Sequence, residues 1–64
     1  MNLKVDLNLD GAYTVADLEG EIITEVARSM QGLREILKIM GAPREMIDDV
    51  VRRIDQERSI QITY

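Results

Sequence analysis

The chain has 64 residues with no cysteine, histidine, tryptophan or phenylalanine, and its twelve acidic and eight basic residues leave a net charge of −4. Those absences exclude disulfides and thiolate ligands and remove the commonest general base and metal ligand, while the acidic balance disfavours a polyanion partner, whose affinity comes from phosphate neutralisation. Residues 1–64 make one domain near the lower limit for folding alone, where a core rarely supplies more than ~3–5 kcal/mol without a staple, and oligomerisation is the staple left open.

Leu3, Val5, Leu7 and Leu9 alternate with Asn2, Lys4, Asp6 and Asn8. Strict period two reads as a half-buried strand, and so polar an alternation is not a signal peptide. No stretch approaches the ~20 apolar residues of a membrane span, and a cytoplasmic location is the default expectation.

The next stretch, "LNLDGAYTVADLEGE", poses a choice between hairpin and helix. A two-residue turn at Asp10-Gly11 would place Tyr13 and Val15 on the polar face of the first strand. A three-residue loop, Asp10 to Ala12, repairs the faces but puts alanine where glycine is wanted. Thr14 can instead cap a helix, with Asp17 in the capping-box position and Glu19 and Glu21 near the positive end of the helix dipole. The helical reading is favoured, and a short return strand is the alternative.

From Thr14, the apolar residues Val15, Leu18, Ile22, Val26, Met30, Leu33, Leu37 and Met40 recur at steps of three or four. They predict one long amphipathic helix ending at Gly41, about 40 Å in length. Pro43 suits the first position of a second helix, which carries Ile47, Val50, Val51 and Ile54 and runs to about Glu57. Ile60, Ile62 and Tyr64 then alternate with polar residues as a short strand. The expected fold is α+β, a single small domain of order β-α-α-β with a long first helix and two strands forming or joining a small sheet.

On the expected long helix, Ile23 and Met30 widen the apolar arc on one side and Ile36 and Ile39 on the other. So broad an arc exceeds what a short chain can cover, and these four residues are the candidate self-association surface of a homodimer or higher oligomer. Arg52, Arg53 and Arg58 form a basic concentration, the candidate site for an acidic partner. Asp48 and Asp49 stand i, i+4 from Arg52 and Arg53, a spacing that also supports an exposed helix.

Asp17, Glu21 and Glu25 make an i, i+4, i+8 ladder on the same helix, read as a solvated acidic face. No metal and no cofactor are expected. Ser29, Ser59, Tyr13 and Tyr64 lack a His or Cys partner, so no catalytic residue is assigned. The function expected is a non-enzymatic protein–protein interaction module: a small homo-oligomeric regulator, inhibitor or adaptor that binds a larger protein. The alternative is a ribbon–helix–helix-like DNA-binding regulator, reading the major groove with Asn2, Lys4 and Asn8. Its acidic charge, an acid on the reading face, the long first helix and the extra terminal strand all depart from that pattern.

Overall fold

The computed structural model describes residues 1–20 and 25–64 in full and the backbone of residues 22–24. Leu3 and Val5 alternate with polar neighbours in β1 (Asn2–Leu7), and both side chains are fully buried. The chain then returns as β2 (Tyr13–Asp17) and again as β3 (Ile22–Ala27). Two helices follow, α1 (Met30–Ile39) and α2 (Arg44–Glu57), before β4 (Ser59–Thr63) closes the sheet. The protein is α+β, with one antiparallel sheet ordered β3-β2-β1-β4. This is the Greek-key order, with the two helices forming the long return connection.

The opening stretch is a hairpin. Its three-residue loop is Leu9-Asp10-Gly11, one residue earlier than the loop weighed from the sequence. Asn8 N–H donates to Ala12 O at 2.8 Å, and Gly11 N–H to Asn8 O at 3.0 Å. Glycine therefore does occupy the last loop position, with a φ of +88° that a side chain would oppose. The Asp10 carboxylate accepts from Ala12 N–H and braces the turn. Leu7 now faces Tyr13 and Val5 faces Val15, so the apolar residues share one face. Leu9, expected to end the first strand's apolar face, is the loop tip and 99% exposed.

The long first helix is thus corrected to two strands and a ten-residue helix. A helix of about 40 Å would also outrun the molecule, whose longest Cα dimension is 25 Å. The local reason lies in side-chain type. Ile22, Ile23, Thr24 and Val26 are β-branched, stiff at χ1 and suited to a pleated surface. Asp17, expected in a capping box, accepts instead from the N–H groups of Glu19 and Gly20 in the β2–β3 turn. The carboxylate ladder dissolves with the helix, since Asp17 and Glu25 now lie on different strands and Glu21 is outside the described residues. Helix α1 starts only at Met30, where Ser29 accepts from Gly32 N–H at 3.0 Å.

From there the expected elements appear. Gly41 stops α1 at a φ of +88°, with Gly41 N–H on Lys38 O and Ala42 N–H on Leu37 O, a Schellman motif. Pro43 serves as the N-cap residue of α2, one position before the expected one. Helix α1 packs over β3 and β2, and α2 over β4 and β1. Leu33, Leu37, Ile47, Val50 and Ile54 thereby meet Leu3, Val5, Val15, Ile60 and Ile62 in one aliphatic core. The opposite sheet face carries Lys4, Asp6, Thr14, Ser59, Gln61 and Thr63. With β1 paired on both sides, it cannot form the intermolecular ribbon of a ribbon–helix–helix dimer.

Because Ser29 caps α1 and Thr14 caps nothing, Ser29→Ala is expected to cost about 1 kcal/mol and Thr14→Ala clearly less, read from urea midpoints at unchanged m-value.

Candidate functional site: a basic groove at the helix corner

The residues singled out from the sequence are dispersed by the fold. Met30 opens α1 and is half-buried, Ile36 packs half-buried against the core, and Ile39 is 84% exposed at the end of the helix. Ile23 belongs to β3, and its side chain lies outside the described residues. The helical face on which they were expected together is not formed, because residues Ile22–Ala27 are strand β3.

The basic concentration of α2 is largely neutralised within its own helix. Arg53 donates to Glu57 through Nε at 2.6 Å and also pairs with Asp49. Glu57 is held below the usual carboxylate range by Arg53, whose own pKa is raised by Glu57 and then Asp49. Arg52 pairs with Asp49 at 2.6 Å, not with Asp48 as expected. Asp48 instead receives Arg34 of α1 at 2.8 Å, a bridge between the helices. Arg58 has a backbone role. It ends α2 in the left-handed region at φ 66°, its N–H on Ile54 O, and its carbonyl accepts Leu7 N–H at 2.8 Å.

A different set of cations converges where α1 turns into α2. Gln31, Arg34, Glu35, Lys38, Ala42, Arg44 and Ile47 line a groove of about 630 Å³. Ala42 and Ile47 give it an apolar floor, and both are largely buried. Lys38 stands on the last turn of α1 and Arg44 on the first residue of α2. Both are exposed, and neither forms an ion pair among the described residues. Lys38 suits the negative end of α1, but Arg44 sits at the positive end of α2, where a cation is mildly unfavourable. The Schellman turn at Gly41 brings the two together. Sequence reasoning missed this pairing because they belong to separate elements, and their spacing marks no helix face.

Comparison with models of protein families, with curated proteins and with solved structures finds no match to this chain. No helix of the described residues is long and apolar enough to cross a membrane.

Two outcomes follow from this local geometry. Arg58→Gly removes the cost of a side chain in the left-handed region, so a gain of about 1 kcal/mol is expected in denaturant unfolding. Tyr13 O–H donates to Asp55 Oδ1 at 2.6 Å, and this bond, then burial, raises the Tyr13 pKa above 10.0. A raised folded-state pKa means stabilisation that is complete below the unfolded value and lost as pH climbs through the folded one. Tyr64, raised mainly by burial, titrates in the same direction. Tyr13→Phe is therefore expected to flatten, without abolishing, the fall in stability above about pH 10, measured by urea unfolding at a series of alkaline pH values.

Proposed function

We propose that this chain is a non-enzymatic interaction module, a small regulator, inhibitor or adaptor, that holds an acidic segment of a larger protein in the α1–α2 groove. The observation that carries this reading is the placement of Lys38 and Arg44, two cations without ion pairs among the described residues, in one groove with the apolar Ala42 and Ile47. In a chain of net charge −4, a local excess of positive charge selects carboxylate-bearing partners and steers their approach. The floor suits one apolar side chain flanked by acids, and Arg34, already oriented by Asp48, adds a donor at the rim. Arg44 costs its helix a little stability where it stands, as expected of a residue kept for binding. A cytoplasmic setting belongs to the same proposal.

Catalysis gains no support from the groove. Among its lining residues only Arg34, Glu35, Lys38 and Arg44 are ionisable, and Glu35, Lys38 and Arg44 are exposed.

The test is titration of the isotope-labelled protein with a short amphipathic peptide of Glu, Asp and Leu. Saturable amide shifts confined to α1, α2 and their turn are expected. The double variant Lys38→Glu, Arg44→Glu should weaken binding at least tenfold while leaving stability about equal, since Glu at position 44 suits the dipole of α2 and Glu at position 38 opposes that of α1. Shifts scattered over the surface, or unchanged affinity in the double variant, would overturn the reading.

A further inference from the structure

We infer that the free edge of β4 pairs with β4 of a second copy, in antiparallel register about Gln61, to form a continuous sheet across a two-fold axis. The sheet has two outer strands, β3 and β4, and they differ in protection. Strand β3 carries the exposed Glu25, and its register against β2 shifts between Val15 and Ala16. A charge and a bulge are the ordinary means of keeping an edge from pairing. Strand β4 reads Ser-Ile-Gln-Ile-Thr, with no charge, proline, glycine or bulge, and its pairing with β1 is regular throughout.

The hydrogen-bond parity of β4 matches this register. Tyr64 N–H donates to Met1 O at 2.9 Å, and Leu7 N–H to Arg58 O at 2.8 Å. The backbone polar groups of Arg58, Ile60, Ile62 and Tyr64 therefore point toward β1, because antiparallel pairs alternate along a strand. Those of Ser59, Gln61 and Thr63 point outward. When two copies of β4 face each other about Gln61, Gln61 opposes Gln61, and Ser59 opposes Thr63. These are the residues whose N–H and C=O groups are free, and each such pair exchanges two hydrogen bonds.

Side chains agree as well. Directly opposed residues share a face, so Ser59 meets Thr63 and Gln61 meets itself on the polar face, pairs able to hydrogen-bond across strands. Ile60 meets Ile62 on the core face, extending the aliphatic layer. No like charges are opposed anywhere in the register. Gln61 and Thr63 already lean on Asn2 Oδ1 of β1, at 3.0 and 3.2 Å, which orders them before pairing.

The layer above the sheet also fits. Helix α2 lies over β1 and β4. With strands about 4.8 Å apart, a two-fold between the two β4 strands sets the two α2 helices about 10 Å apart, the ordinary packing distance. Asp48 and Asp55 point to α1 and β2. At about 100° per residue, Met46, Arg53 and Glu57 then hold the flank that meets the second α2. That flank offers an apolar contact and both signs of charge.

The test is sedimentation equilibrium of the whole chain at high micromolar concentration. The expected mass is twice the 7.3 kDa of one chain. Gln61→Lys, which sets two like charges face to face, and Gln61→Pro, which removes an outward N–H without touching the β1 ladder, should each return it to one chain with an unchanged circular dichroism spectrum. Ile39→Glu on exposed α1 should leave the dimer intact. In hydrogen exchange of the parent, the amides of Ser59, Gln61 and Thr63 should be protected, which decides the matter if both position-61 variants unfold. A one-chain mass for the parent, dimeric position-61 variants, or rapid exchange of those three amides would overturn the inference. A monomer whose β4 amides become protected only on adding a foreign extended peptide would assign the edge to another partner.

Discussion

Strand β1 is paired on both edges and buried on one face, and the rest of the molecule is arranged by that requirement. Leu3 and Val5 are fully buried, opposed by Ile62 and Ile60 on one side, and Val15 faces Val5 on the other. An amphipathic strand gains nothing from this unless a layer covers its apolar face. Two short helices supply the cover, each lying over a different pair of strands. The chain ends are drawn together as a consequence, with the Met1 ammonium donating to the Tyr64 carbonyl. Tyr64 O–H reaches Met40 O at 2.6 Å and ties the last residue to the end of α1.

Satisfying β1 on both sides moves the open hydrogen-bonding groups to the periphery. Sheet growth can then occur only at β3 or β4, and the two edges are chemically unlike. The bulge and Glu25 at β3 oppose further pairing, whereas β4 has a regular ladder on one side and uncharged side chains throughout. The small core makes this asymmetry consequential, since a chain of 64 residues leaves much of its apolar area near the surface.

The charges of α2 show how the fold sorts residues that look alike in sequence. Asp48 pairs across to α1 and Asp55 accepts from Tyr13, while Asp49 and Glu57 remain with the arginines of their own helix. Exposed intrahelical pairs contribute little to stability, but they offset the charges of Arg52 and Arg53. Arg44, at the other end beside Lys38, has no ion pair among the described residues. Which cations remain unmatched is thus set by the fold, and local charge density along the sequence is a poor guide to it.

Strand β1, the stop at Gly41, the extent of α2 and the terminal strand were legible in the sequence because each rests on a local cause: period-two alternation, left-handed glycine, helical spacing and proline. Strands β2 and β3 were not legible as strands. Val15, Leu18, Ile22 and Val26 recur at helical steps, and that periodicity outweighed the β-branched run at positions 22–24. The hairpin loop lies one residue earlier than the one weighed from the sequence, at Leu9–Gly11, which aligns both glycine and faces. The apolar arc assigned to Ile23, Met30, Ile36 and Ile39 failed with the helix. The groove and the free edge could not be read at all, since Lys38 and Arg44 meet only through the turn between their helices. Whether β4 is an edge depends on strand order. Local chemistry determined β1, the helix ends at Gly41 and Pro43 and the terminal strand, and long-range pairing decided the rest and which groups remain unsatisfied, because a hydrogen bond or an ion pair is free only relative to everything the fold has placed beside it.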